Sequence, residues 1–201
     1  MLFDKAEYDT RMAQTLAAMR EQNLGALLLF APESMYWLTG FDTFGYRFFQ
    51  CLVVLPNGKT VLLTRSADLR QAQRTSNIDE VHVWIDSANT NPTVNLRDLL
   101  GDMNLLGAKL GVEFDTAGLT ASMYRLLEER LENFADMEDA SSLIHTLRLV
   151  KSPAEQVFVR EAAAQADRAL DAAIASAKPG ISEAVVLADM QGSILRDGGD
   201  Y

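Results

Sequence analysis

The hydrophobic pattern at the start of the chain predicts a helix followed by a buried strand. Over residues 4–23, Tyr8, Met12, Leu16 and Met19 recur at the spacing of one helix face. The nearly all-apolar run 24–31 is typical of a strand that is buried on both faces, and it stops at a proline.

The next pattern predicts a β-hairpin. Two β-rich runs, 48–55 and 59–64, flank Pro56-Asn57-Gly58. Asn-Gly between such runs favours a tight hairpin because both residues tolerate a positive φ.

Further helices and strands alternate up to Met137. The pattern predicts helices over 66–74, 91–103 and 119–131, and strands over 80–85, 109–114 and 134–137. In strand 80–85, Val81, Val83 and Ile85 are expected on one face, opposite Glu80, His82 and Trp84. The fold class is therefore α/β, with at least one antiparallel hairpin in its sheet.

After Met137 no strand pattern follows. Ser152, Pro153 and Glu155 form a helix-start signature, which opens a long helix over 153–177 with an alanine-rich apolar face. Ser182 is expected to cap a second helix over 183–196. Two helices without a partner surface do not make a compact domain. We therefore expect a complete domain over 1–137, and over 138–201 a linker helix plus the opening helices of a second domain that the sequence leaves unfinished.

Composition excludes several classes of function. The 201 residues carry a formal net charge of −10, which argues against binding nucleic acid or an anionic membrane. One cysteine excludes an intrachain disulfide and a multi-cysteine zinc site. The first residues do not resemble a secretory signal, and the apolar runs are short, so we expect a soluble, cytoplasmic protein. His82, His145 and Cys51 lack partners at catalytic or metal-binding spacing and are expected to be structural.

The segment from Tyr36 to Phe49 is the most informative candidate for a binding site. It is dense in aromatic residues and contains two glycines, a composition that we expect in a loop offering flat, rigid contact surfaces. Arg47 offers a planar fork for a carboxylate. The alternative is that the rings pack in the local core while Arg47 pairs with an acidic neighbour such as Asp42.

Several segments together resemble one enzyme family. The run LRLVKSPAE at 147–155, KPGISE at 178–183, YWLTGF at 36–41 and the hairpin at 52–58 are similar, in this order, to the creatinase/prolidase/aminopeptidase P family of pita-bread metallohydrolases. The resemblance implies a creatinase-type N-terminal domain with a mixed sheet of five or six strands flanked by helices, followed by the first helices of a truncated pita-bread domain.

The same resemblance implies that the N-terminal and C-terminal domains have different roles. The peptidases of this M24-type family hold two divalent metal ions with Asp, His and Glu side chains of the C-terminal domain, and none of those positions can be matched here. We therefore expect no catalytic residue, metal ligand or cofactor within this chain, and two divalent ions in a longer parent enzyme. In a homodimer, the resemblance places Trp37, Phe44, Tyr46 and Arg47 in the substrate pocket of the other subunit.

The predicted function is the N-terminal portion of a metal-dependent hydrolase that acts on Xaa-Pro dipeptides or related small molecules. Its contribution would be dimerisation and closure of the substrate pocket, and the chain alone would be inactive. Two alternatives stay open. One is a non-catalytic module for dimerisation or small-molecule binding. The other is a family member acting on creatine, ectoine or dimethylsulfoniopropionate, which the aromatic segment favours slightly because ring faces attract cations.

Overall fold

The computed structural model describes residues 2–45, 47–88 and 90–200. A six-stranded sheet has the order β4-β3-β2-β1-β5-β6. The strands are β1 Ala26–Leu29, β2 Cys51–Val54, β3 Thr60–Arg65, β4 Glu80–Trp84, β5 Lys109–Val112 and β6 Asp136–Asp139. β2 is antiparallel to both of its neighbours, and the other pairs are parallel. The predicted mixed α/β sheet is confirmed.

Helices cover both faces of this sheet. They are α1 Lys5–Glu21, α2 Pro32–Thr39, α3 Leu69–Thr75, α4 Pro92–Asp102, α5 Ala121–Leu131 and α6 Ser141–Leu147, with a 3-10 turn at Ser66–Asp68 before α3. Leu28 belongs to a core on one face with residues of α4 and α5. Its neighbour Leu27 belongs to a second core with residues of α1, α2 and α6. β1 is therefore buried on both faces, as its apolar run predicts.

The predicted hairpin joins β2 and β3. The Gly58 N–H donates to the Leu55 carbonyl oxygen at 2.9 Å, and the Leu55 N–H donates to the Lys59 carbonyl oxygen at 2.9 Å. Of the two turn residues, only Gly58 has a positive φ, at 86°. This geometry is typical of a three-residue hairpin loop in which glycine takes the left-handed position.

Two of the predicted faces differ from those in the structure. In β4, Trp84 is buried, whereas Val83 and Ile85 are exposed. β4 is an outer strand, and the Trp84 indole N–H donates to the Phe49 carbonyl oxygen at 3.1 Å, which holds the ring inward. In α1, Arg11 and Thr15 are buried with Tyr8 and Met19, because Arg11 finds partners inside the protein.

The chain divides into two compact units, one ending at Leu149 and the other beginning at Val150. The boundary lies later than the predicted one at 137, because β6 continues to Asp139 and α6 buries Leu143 and Ile144 in the first unit. Among the described residues, no helix combines the length and the apolar character needed to cross a bilayer.

The second unit consists of two helices, α7 Pro153–Ser176 and α8 Glu183–Arg196. Ser152 and Glu155 form the predicted reciprocal cap: the Glu155 N–H donates to Ser152 Oγ at 3.1 Å, and the Ser152 N–H donates to Glu155 Oε2 at 2.8 Å. On the apolar face of α7, Ala169 is buried against α8, whereas Leu170 and Ile174 are exposed.

Candidate functional site

One edge of the sheet collects most of the segments that carry candidate chemistry. β2 runs against β1, so the first residues of β2 lie beside the last residues of β1, with Leu29 opposite Leu52. The segment before β2 therefore reaches the edge where β1, β3, β4 and β5 have their carboxyl ends. In α/β sheets, ligands bind in crevices outside the carboxyl ends of strands. This edge is the candidate functional site.

A crevice of about 630 Å³ opens at this edge. Its walls are residues 31–33 at the start of α2, Thr43, and residues 114–117 after β5. The volume falls within the range of small-molecule sites. Glu33 and Asp115 give the wall two carboxylates, which favour a cationic or hydrogen-bond-donating ligand over an anionic one.

Glu113 is buried next to the residues that line this crevice, between β5 and Phe114. Its carboxylate Oε2 accepts the backbone N–H groups of Phe30 at 3.0 Å and Ala31 at 2.8 Å, while Oε1 accepts the Ser34 hydroxyl at 2.5 Å. The side chain thus binds the backbone just before α2 and the Ser34 hydroxyl in its first turn. Burial raises the pKa of the Glu113 carboxyl, although these three hydrogen bonds oppose the shift. Glu113 fixes the start of α2 to the end of β5.

The aromatic loop, defined here as residues 41–50, is anchored at its base. Thr43 Oγ1 accepts the Gly45 N–H at 2.9 Å and the Gln50 side-chain amide at 3.3 Å. A Cβ on Gly45 would lie 2.4 Å from Gln50 Nε2 and 3.1 Å from Asp68 Oδ2, so glycine permits this close approach. Gln50 and Asp68 are both buried. The base of the loop is therefore a packed polar layer.

The structure separates the four predicted substrate-binding residues. Phe44, which is 73% exposed, and Arg47, which is also exposed, lie on the aromatic loop. Trp37 lies on α2 and belongs to a core cluster. Tyr46 is outside the described residues. Residues 36–39, expected in a loop, are helical because Pro32 starts α2 and Gly40, with φ of 77°, ends it. The substrate-binding role of these residues stays a prediction.

Buried Arg11 explains the position of Trp37. Arg11 Nη1 donates to the Trp37 carbonyl oxygen at 2.7 Å, and Arg11 Nη2 lies 3.1 Å from Glu7 Oε1. The Arg11 guanidinium carbon also lies 5.2 Å from the Trp37 ring centroid, close enough for a cation–π contact. These contacts join α1 to α2 and hold Trp37 within the domain.

The described residues do not provide a donor set for a metal centre. Across residues 2–45, 47–88 and 90–200, no three His, Cys, Asp or Glu side chains are grouped as ligands. His82 lies on outer strand β4, 3.7 Å from Glu80, and His145 is exposed on α6. Cys51 is buried in the core, and burial raises the pKa of its thiol well above the usual value.

Three charged residues of this edge were not singled out by the sequence analysis. Glu113, Arg65 and Asp68 each stand within or just after a strand segment, where they resemble ordinary surface charges. For Glu113 a signal was present, since it follows directly on the buried run Leu110–Val112. A carboxylate that ends a buried strand must find partners or remain exposed.

Comparison with known proteins places these observations in a family. The model of the creatinase/prolidase N-terminal domain matches residues 11–150. An uncharacterized hydrolase/peptidase, y4tM, from Sinorhizobium fredii is 28% identical over 193 residues, covering 92% of this chain and 49% of that protein. The ectoine hydrolase of Halomonas elongata is 29% identical over 167 residues, covering 80% of this chain and 42% of that enzyme.

The fold is also found among solved structures. Recombinant prolidase from Thermococcus sibiricus superposes with a TM-score of 0.79 at 18% sequence identity, over 96% of this chain and 50% of that one. The chain spans about half the length of the curated relatives that it matches. From the sheet, the capped linker and the matched residues together, the chain belongs to the creatinase/prolidase family and carries its N-terminal domain.

Proposed function

We propose that this chain is the N-terminal portion of an M24-type hydrolase that cleaves Xaa-Pro dipeptides or a related small amide. In this proposal the enzyme is a homodimer, and the aromatic loop of each subunit closes the substrate pocket of the other. The family match over residues 11–150 and the similarity to hydrolases and peptidases support this assignment.

The observation that carries the proposal is the contrast within the aromatic loop. Its base is fixed by Thr43, Gln50 and Asp68, whereas Phe44 and Arg47 are exposed. A guanidinium on a rigid base suits the recognition of a substrate carboxylate, because its planar fork donates two parallel hydrogen bonds. The phenyl ring of Phe44 would cover an apolar part of the substrate.

This chain would contribute binding and orientation rather than bond cleavage. The two divalent ions of a peptidase-type relative would be held outside the described residues, which lack a donor set for them. Within this chain, Arg47 would bind the substrate carboxylate, Phe44 would exclude water, and α2 with the aromatic loop would set their positions.

The experiment compares Arg47→Ala with Arg97→Ala in the hydrolase that contains this domain. Arg97 is a matched control because it is an arginine of the same unit, half exposed and paired with Asp98 on α4. For an Xaa-Pro dipeptide, Arg47→Ala should raise KM about 10-fold to 100-fold through loss of a charge-assisted pair. For the same dipeptide with an amidated C-terminus, the KM of Arg47→Ala should stay within about twofold of the KM that the wild-type enzyme has for that amide. A rise in KM of the same size for both substrates on going from wild type to Arg47→Ala would contradict the assigned role of Arg47.

Action across a dimer has its own test. Subunits carrying Arg47→Ala are mixed with subunits whose metal ligands have been removed, so that each homodimer is impaired. If the loop serves the partner, a mixed dimer has one complete pocket and recovers low KM at half of the sites. If the loop serves its own subunit, mixing recovers no low-KM activity.

A second substrate class is favoured by one observation, the similarity to ectoine hydrolase. Ectoine joins a carboxylate to a cationic ring, so Arg47 and Phe44 would suit it as well. A turnover panel of Gly-Pro, Ala-Pro and ectoine, with Mn²⁺, Co²⁺ and Zn²⁺ supplied in turn, separates the two. Absence of turnover and of bound metal in the purified protein would favour a non-catalytic module.

A further inference from the structure

Arg65 is a charged residue at the site edge to which the proposed function gives no role. It is the last residue of β3, and its side chain is only 15% exposed. Its Nε donates to Asp68 Oδ2 at 3.1 Å, and its Nη1 lies 3.6 Å from Asp86 Oδ2. The guanidinium is therefore held between two carboxylates, which fixes its orientation.

The third partner of Arg65 belongs to the aromatic loop. The guanidinium carbon lies 3.3 Å from the ring centroid of Phe48, a close cation–π stack. Phe48 is only partly exposed, at 42%, whereas Phe44 on the same loop is 73% exposed. The stack with Arg65 covers one face of the Phe48 ring and connects the loop to β3.

The anchors lie on both sides of Arg47. Before it, Gly45 lies against Asp68, the same carboxylate that accepts from Arg65. After it, Phe48 stacks on Arg65, and the Phe48 N–H donates to the Gly45 carbonyl oxygen at 2.8 Å. Arg47 therefore lies in a short turn whose two ends both rest on the Arg65–Asp68 pair.

We propose that Arg65 is a positioning residue for the aromatic loop: through Phe48 and Asp68 it holds the turn that presents Arg47 to the substrate carboxylate. This role rests on the proposed function. Arg65 does not bind the substrate itself, since its guanidinium is already occupied by Asp68, Asp86 and Phe48.

The first test uses the 201-residue chain and needs no substrate. Amide hydrogen exchange is compared for wild type, Arg65→Gln and Arg97→Gln. Arg97 is the matched control because it also combines an ion pair, with Asp98, and a ring contact, with Phe134 at 5.0 Å. Exchange over residues 43–49 should rise at least about fivefold in Arg65→Gln only. Unchanged exchange in this segment would overturn the proposal.

The second test uses the dipeptide hydrolase assay. Arg65→Gln should raise KM about fivefold to 20-fold with kcat within about twofold, and Phe48→Leu should do the same, because both remove the stack. Phe48→Tyr keeps the stack and should therefore have the same KM as wild type. The double variant Arg65→Gln/Phe48→Leu should match Arg65→Gln, because the stack that Phe48→Leu removes is already lost without the Arg65 guanidinium. Additive effects would mean that Arg65 acts directly on substrate and would overturn the proposal.

The outcomes separate this inference from the proposed function. A raised KM for Arg47→Ala with an unchanged KM for Arg65→Gln would overturn the role of Arg65 alone. An unchanged KM for both would overturn the proposed function and the role of Arg65 with it. If Arg65→Gln does not fold, the test is the comparison of KM between Phe48→Leu and Phe48→Tyr. Equal KM values for these two variants would overturn the proposal.

Discussion

The two units of this chain are stabilised in different ways. In the first unit, every residue of β1 and β2 is buried, and each face of the sheet has its own core. In the second unit, Ala169 is the buried residue of α7, and no residue of α8 is buried. The first unit thus depends on packing between distant segments, whereas the second depends on signals within its own helices.

The difference also appears in the apolar side chains. Leu27 and Leu28 in β1 are fully buried, whereas Leu170 in α7 is 57% exposed and Leu187 in α8 is 48% exposed. By buried area, the same residue type therefore contributes about twice as much stability in the first unit as in the second. Each of the following predictions tests part of this contrast.

The largest effect is expected from truncating the core. Leu28→Ala should lower the free energy of unfolding of the first unit by about 3 kcal/mol, because it removes buried surface and leaves a cavity. Leu187→Ala should cost less than about 1 kcal/mol. Tryptophan fluorescence during urea unfolding reports the first unit, since Trp37 and Trp84 both lie there. Far-UV circular dichroism follows the unfolding of α8. If Leu28→Ala and Leu187→Ala lowered the free energy of unfolding by similar amounts, the contrast between the two units would be wrong.

Removing the buried Glu113 carboxylate should have the next largest effect. Glu113→Ala leaves the Phe30 and Ala31 N–H groups and the Ser34 hydroxyl without their acceptor, at a cost of about 2–3 kcal/mol. The measurement is the same fluorescence-detected unfolding at pH 7. An exposed carboxylate of the second unit, Glu161, provides the control, and Glu161→Ala should leave the free energy of unfolding unchanged within about 0.5 kcal/mol.

Glu113 also predicts a pH dependence. Burial raises its pKa in the folded state, so the folded protein binds the proton more tightly than the unfolded chain does. The stability that the protonated carboxyl contributes is complete below the ordinary glutamate pKa of about 4.3 and is lost as pH rises through the raised value. Relative to Glu113→Gln, the wild-type protein should therefore lose unfolding free energy as pH rises from 4 to 7. A constant difference would exclude a raised pKa.

A smaller, local effect is expected in the second unit. Ser152→Ala removes the acceptor of the Glu155 N–H and should cost about 1 kcal/mol, which corresponds to about fivefold faster amide exchange in the first turn of α7. Ser176→Ala is the matched control, because its hydroxyl only donates to carbonyl groups of its own helix. Equal exchange in the two variants would mean that the cap does not stabilise α7.

The smallest effect on stability is expected on the exposed face of α7. Leu170→Ser with Ile174→Ser should change the unfolding free energy of the first unit by less than about 0.5 kcal/mol, because both side chains are exposed. The same change should reduce association, since it removes an apolar patch. Light scattering of wild type should show dimers or larger species that diminish in the variant. A compact monomer for wild type would contradict this expectation.

The sequence predicted the alternation of elements well because that information is local. The spacing of apolar residues, the Pro56-Asn57-Gly58 turn and the Ser152–Glu155 cap each act within a few residues. The errors occurred where a distant partner decides. Arg11 is buried because it meets Trp37, and Trp84 turns inward because it reaches the Phe49 carbonyl oxygen.

The candidate site was less predictable for the same reason. Composition drew attention to the aromatic segment, and the family resemblance singled out Phe44 and Arg47 within it, but the residues that fix them could not be identified. Arg65 ends β3, Asp68 lies in the 3-10 turn after it, and Glu113 directly follows β5. Their proximity follows from strand order and direction, which no single segment encodes.

The reversed direction of β2 has an evolutionary consequence. Because β2 starts where its neighbours end, the whole aromatic loop lies outside the strand pairing, and its length can change without shifting the register of β1 or β3. Insertions and replacements outside the packed base of the loop leave the hydrogen-bonded ladder of the strands intact. Lineages descended from a common ancestor can therefore diversify what they recognise while inheriting an unchanged scaffold.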